Sequence, residues 1–263
     1  MYDKQHLIGD LHRLSVDPAG TLLVHSSMKA IGPVDGGADT VLDALSEHMR
    51  DGLLVLPTHT WDRINADQPV FSVTDTPCCV GILPERFRKR PGVIRSQHPT
   101  HSVAALGRDA IAFTEGDACF ETPLHRSGPW GRLLDRRATL LFIGCDLTKN
   151  TYMHGVEEWL DIPDNLTDSM VTLFTERPDG TVVPVRQRQH KGHRSDTFWK
   201  VEPLLLENGA MRTGTFGGAT VRIVDTLRLT EILYVLLERN PWLFADDRPL
   251  DRRLYPMYAP GPR

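Results

Sequence analysis

The sequence lacks any excess of basic residues: 30 Lys and Arg face 34 Asp and Glu, a formal charge of −4 over 263 residues. That removes the electrostatic footprint of a nucleic-acid-binding protein. The acidic surplus is in turn too small to name a cationic partner. Cysteine is scarce as well. Its four copies, Cys78, Cys79, Cys119 and Cys145, form no CxxC spacing, and the adjacent pair is ill placed to bridge itself. Reduced thiols in a cytoplasmic enzyme are therefore expected. No apolar run approaches the roughly 18 residues of a bilayer-spanning helix. The charged N-terminus MYDKQHLIGDLHRL also has no apolar signal-peptide core. A soluble cytoplasmic protein without a membrane partner follows.

Several short motifs are missing too, and each absence closes a class. Without GxxxxGK[ST] there is no P-loop, and without GxGxxG there is no dinucleotide fingerprint. HExxH is absent, as is the GxSxG elbow of a serine hydrolase. No repeat and no long linker interrupts the chain. One domain over 1–263 is expected, with a subdivision near residue 165 as the other arrangement.

What is present alternates. TLLVHS (21–26), GLLVLPT (52–58), HSVAALG (101–107) and ATLLFIG (138–144) read as buried strands. Between and after them, ADTVLDALSEHM (38–49), VGILPERFRK (80–89), GPWGRLLDRR (128–137) and NTYMHGVEEWLD (150–161) read as helices. Asn150 or Thr151 is the expected N-cap of the last of these. Such alternation predicts a largely parallel sheet covered on both faces. The second part changes character. Residues 169–189 read as a hairpin turning at Pro178-Asp179-Gly180, and 196–209 as a helix that Pro203 must interrupt. TGTFGGATVRIVD (213–225) is strand-like, 226–239 is the strongest helix, and the tail from 248 reads as irregular.

Polar clusters gather where strands end, the usual place for ligands on an open α/β sheet. HSSMKAIGPVDGG (25–37) offers hydroxyls, a lysine and glycines, which suit either a phosphate cradle or an ordinary turn. His154 and Glu157 lie three apart on one helical face. There they form either a base with its orienting carboxylate or part of a solvated surface. His98 and His101 are half of a metal site if His59, Asp62, His190 or His193 completes it. Cys145 is a nucleophile or a buried structural thiol.

In their order along the chain, these segments resemble the aminoglycoside 3-N-acetyltransferase family, also called the antibiotic N-acetyltransferases. The likeness rests on LLVHSSMKAIGPVDGGADTVLDAL (22–45), GLLVLPTHTWD (52–62), GILPERFRKRPGVIRSQHPTHSVAALG (81–107), SGPWGRLL (127–134) and LLFIGCDLTKNTYMHGVEEWLDIP (140–163). It implies a three-layer α/β/α sandwich around a mixed sheet, with a smaller antiparallel C-terminal part, distinct from the GCN5-type acetyltransferase fold. It further implies acetyl-CoA as co-substrate, an amine acceptor, and no metal. Ser26, Ser27 and Lys29 become expected donor contacts, with Gly36 and Gly37 shaping their loop. His101, Ser102 and Val103 are expected to border the same donor.

His154 is then expected to be the general base and Glu157 its orienting partner. Asp62, Glu85, His98 and His190 are the expected acceptor contacts. The expected assembly is a monomer or a homodimer. Residues 62–81 are sparse in acid, with only Asp62, Asp67 and Asp75. A less cationic amine from a biosynthetic pathway is therefore the alternative acceptor, and a metal-dependent hydrolase the remote alternative.

Overall fold

The apolar run at the start becomes strand β1 (Thr21–Ser26), preceded by helix α1 (Lys4–Arg13) and followed by α2 (Met28–Ile31) and α3 (Gly37–His48). The chain continues through β2 (Leu53–Pro57), β3 (Val70–Ser72), α4 (Ile82–Phe87), β4 (Ile94–Arg95), β5 (Val103–Gly107), α5 (Ala110–Thr114) and α6 (Pro129–Asp135). It then forms β6 (Thr139–Ile143), α7 (Thr151–Trp159), β7 (Val171–Glu176), β8 (Val182–Gln187), α8 (Glu202–Glu207), β9 (Met211–Phe216), β10 (Ala219–Asp225) and α9 (Thr226–Arg239). This computed structural model describes residues 1–191 and 195–255. His193 and the last eight residues of the expected irregular tail lie outside the described residues.

Seven strands make one sheet in the order β4-β5-β2-β1-β6-β10-β9. β1 and β2 are buried along almost their whole length because helices cover both faces. On one face α1, α3 and α4 pack Leu7, Leu11, Val41, Leu45, Leu83 and Phe87 against alternate strand residues such as Leu22, Val24 and Leu54. On the other face, Trp130, Tyr152, Met153, Leu229 and Leu233 from α6, α7 and α9 cover Leu23, Val55 and Phe142. This is the expected three-layer sandwich.

The expectation of a largely parallel sheet is corrected. In this sheet β2, β1 and β6 pair parallel, while β5 pairs antiparallel with β2 and β10 antiparallel with β6. Strand–helix alternation cannot reveal this, because the direction of a strand depends on where its connection re-enters the sheet. Residues 213–225 are likewise two strands rather than one, since Gly217 takes φ +56° and turns β9 back into β10.

The hairpin at 169–189 is present as β7 and β8, with Gly180 at φ +81° in its turn. β3, from the acid-poor stretch, joins β7 to complete a second sheet of order β3-β7-β8. Pro203 sits in the first turn of α8, after a 3-10 segment over Ser195–Val201, so it opens a new helix rather than kinking one.

Candidate active site

The sheet changes direction of growth at β1, with β2 added on one side and β6 on the other. Such a switch point opens a crevice beyond the strands' carboxyl ends. Here a cavity of about 870 Å³ is walled by Ser26 and Ser27 at the end of β1, His59 and Trp61 after β2, and Cys145, Thr148, Lys149, Asn150 and Thr151 after β6. Its volume lies toward the upper end of small-molecule sites. HPTHS precedes its own strand yet reaches the same wall, because β5 is antiparallel to β2. The pairing even extends past both strands, with Thr58 N–H donating to Ser102 O at 2.8 Å and Thr60 N–H to Thr100 O at 3.0 Å.

Beyond β6, Gly144 takes φ +66°, and a Cβ there would lie 2.2 Å from Ala30 Cβ. Glycine therefore allows the chain to turn tightly into α7. His154 and Glu157 sit on that helix, their Nδ1 and Oε2 atoms 3.1 Å apart. Glu157 is 1% exposed and His154 lines the cavity, so the solvated-face reading of this pair does not hold.

The neighbouring Glu158 carboxylate accepts the Leu124 N–H at 3.1 Å and lies 2.8 Å from His190 Nε2. His190 leans on His154 and on His101 with ring centroids 5.3 Å apart in each case. His59 meets His101 at 5.0 Å, stacks on Trp130 at 5.6 Å, and pairs through Nε2 with Thr151 Oγ1 at 3.1 Å. Burial, reinforced by the neighbouring rings, pushes His59 and His101 well below the ordinary histidine range. Both are neutral at physiological pH.

Of the expected site residues, Ser26, Ser27, His101, His154 and His190 share the cavity wall, with Glu157 directly behind. Lys29 is exposed on α2, and Gly36 and Gly37, at φ +72° and +64°, form the turn into α3; none of the three is on the wall. Asp62 is exposed at the rim, 3.4 Å from Arg63 Nε and next to the wall residue Trp61.

Four further expectations need correction, since these side chains are committed to contacts within the protein rather than to the cavity. Ser102 is fully buried and its hydroxyl is taken up by Thr58 O at 2.9 Å. Val103 is fully buried on β5 within the core. His98 is fully buried too, with Nδ1 accepting the His101 N–H at 3.0 Å and the Thr100 N–H at 3.3 Å. Glu85 is gripped by the Arg88 fork at 2.8 Å on both oxygens and by the Cys78 N–H at 2.9 Å. Burial works to raise the Glu85 carboxyl, but these bonds and Lys89 outweigh it and hold it at about 2.

Cys145 does line the cavity, but burial and the Asp146 charge push its thiol up to about 12, which disfavours the nucleophilic thiolate. Among the described residues no three His, Cys, Asp or Glu side chains are grouped to hold a metal. Sequence reasoning missed Trp61, Lys149 and Asn150 on the wall. His59 was considered only as a metal ligand, although its place directly after a buried strand was the available signal.

A profile of the family described as Aminoglycoside 3-N-acetyltransferase matches residues 23–238. The chain belongs to that family. Within this acetyltransferase family, aminoglycoside N(3)-acetyltransferase IV of a Salmonella species is 28% identical over 92% of this chain and 89% of its own. Aminoglycoside N(3)-acetyltransferase VII of Streptomyces paromomycinus is 31% identical over 61% of this chain; the match spans only 62% of that relative's length. Among solved structures, a mutant of aminoglycoside acetyltransferase AAC(3)-IVa in complex with a gentamicin superposes with a TM-score of 0.79 at 26% identity, covering 92% of this chain and 91% of that one. AAC-IIIb, solved as a binary complex with CoASH, shares the fold with a TM-score of 0.76 at 23% identity, covering 87% of this chain and 93% of that one.

Proposed function

We propose that the protein is an acetyl-CoA-dependent N-acetyltransferase that acetylates the 3-amino group of an aminoglycoside, by direct transfer with His154 as general base. The observation that carries this reading is the His154–Glu157 pair, 3.1 Å apart, presented at the switch-point cavity. An alkylammonium has no lone pair to attack with, so the acceptor must give up a proton. With Nδ1 bonded to the Glu157 carboxylate, Nε2 is the basic nitrogen of the neutral ring, and Glu157 stabilises the imidazolium that forms. Starting from the ammonium, the nitrogen sheds two protons: one passes to solvent to give the free amine, and the other is taken by His154 as the C–N bond forms and ends on the sulfur when the C–S bond breaks.

The cavity's hydroxyls and strand-end loops suit a donor with amide and phosphate groups. Ser26 and Ser27 are the donor-side contacts in this reading, with Lys29 and Lys149 as the nearby cations. Asp62 at the rim and His190 on the wall are the acceptor-side contacts. The relatives' names and the gentamicin complex of one of them support an aminoglycoside as acceptor. One observation favours a less cationic amine as the second reading: Glu85, a carboxylate close to the cavity in sequence, is already neutralised by Arg88 and Lys89.

The test is thiol release from acetyl-CoA with a panel of aminoglycosides and simple amines, compared as kcat/KM. Aminoglycosides are expected to lead the panel. His154→Ala is expected to lower kcat by about 10²–10⁴-fold, and a chelator to leave turnover unchanged. Full turnover in His154→Ala, or loss of activity on chelation, would overturn the reading.

A further inference from the structure

Asn150 stands at the N-cap position of α7 but does not cap it. An asparagine there ordinarily accepts an N–H from the first helical turn through its side-chain oxygen. Here only the main chain takes part, with the Asn150 N–H donating to Leu147 O at 2.9 Å and its carbonyl accepting the Met153 N–H at 3.1 Å. The side chain is fully buried and, among the described residues, neither Oδ1 nor Nδ2 has a hydrogen-bond partner, yet the residue is part of the cavity wall. Burying such an amide unsatisfied is costly, so its retention points to a ligand atom that completes it. It precedes His154 by four residues, a spacing that sets both on one face of the helix. Also on the cavity wall, His25 Nε2 and Ser26 Oγ, at the end of β1, are buried without a partner among the described residues.

We infer that Asn150 Nδ2 donates to the acyl carbonyl oxygen of the thioester and stabilises the charge that this oxygen gains during transfer. The inference rests on the acetyl-transfer reading above. As the acceptor's lone pair forms the C–N bond, the carbonyl π pair moves onto oxygen. It returns when the C–S bond breaks, and the sulfur leaves with the proton that His154 removed. A donor aimed at that oxygen is required, and two of the nearby main-chain donors are already used. The Ser27 N–H donates to Ile143 O at 2.8 Å, and the Asn150 N–H to Leu147 O. The side-chain amide of Asn150 supplies what they do not.

The test compares wild type with Asn150→Leu, which keeps the bulk, and Asn150→Ala. Both variants are expected to lose about 10²–10³-fold in kcat, the usual cost of one such donor, with little change in KM for either substrate. Their melting temperatures should equal or exceed that of wild type, because a buried amide without a protein partner has been removed. With acetyl-CoA carrying ¹³C at the acyl carbonyl bound, the carbonyl stretch should lie at lower frequency in wild type than in either variant. Near-wild-type kcat, an unchanged carbonyl band, or lost kcat accompanied by a fall in melting temperature in both variants would overturn the inference. A wild type that shows the shifted band but acetylates no amine would sink the functional reading while leaving the carbonyl contact supported.

Discussion

In the segment HPTHS, two histidines three positions apart do different work. His98 closes the turn by accepting two main-chain N–H groups on Nδ1, and burial drives its ring down to about 3. His101 faces the cavity, beside His59 and His190. The spacing alone could not separate them, because the difference lies in what each ring meets after folding. Cysteine gives a similar contrast. Cys145 lines the cavity, but its thiol, pushed up to about 12, does not suit a nucleophile. Cys145→Ala is expected to keep kcat within about threefold of wild type if no thiolate takes part in transfer, measured by acetylated product. A collapse of turnover in a folded Cys145→Ala protein would instead point to an acetyl-enzyme.

At the level of elements, the segment between β3 and β4 is tied down by buried charge. The Arg95 guanidinium donates to Val73 O, Thr76 O and Thr58 O at 3.1, 2.7 and 2.9 Å. It thereby joins the small sheet to the end of β2. Glu85 and Arg88 make a second tie within and beside α4, and the Arg88 side chain is 2% exposed. Glu85→Gln leaves that guanidinium without its counter-charge and is expected to destabilise the fold by about 3–5 kcal/mol, read from urea denaturation. KM for the acceptor should stay unchanged, because Glu85 faces the protein rather than the cavity. A raised KM with unaltered stability would return Glu85 to the acceptor site.

The molecule as a whole buries several titratable groups in their neutral forms, which sets its pH response. His25 and His98 are driven down to about 3 by burial, and His59 and His101 also lie well below their ordinary values. Each ring is neutral when folded but binds a proton near pH 6.5 when unfolded, so its contribution is present above that pH and is lost as pH falls toward 3. Asp117 works in the opposite sense. Burial raises its carboxyl to about 7 despite hydrogen bonds from Ser96 and the His98 N–H, so its contribution is present below about pH 4 and lost as pH rises through 7. Between pH 6 and 4 the four rings outnumber the one carboxyl. Stability should therefore fall as pH drops through that range, followed by chemical denaturation at stepped pH. A flat profile over that range would mean that the rings protonate without unfolding the protein.

Much of the architecture was legible in the sequence, because hydrophobic periodicity reports burial directly. The central strands β1, β2 and β6, helices α3, α7 and α9, and the β7–β8 hairpin all fall where apolar spacing and turn residues put them. The His154–Glu157 pair was legible for a related reason: a three-residue spacing on a helix fixes two side chains to one face before any tertiary contact forms. Strand direction was not legible, nor was the burial of individual polar groups. The reversal of β5 decided that HPTHS would reach the cavity. Packing decided that Glu85, Ser102 and His98 would spend their polar atoms on the protein, while Asn150, on the cavity wall, would keep a buried amide with no partner among the described residues. Local sequence dictates which groups share a face of an element; which of those faces meets a ligand depends on how distant segments cover the rest.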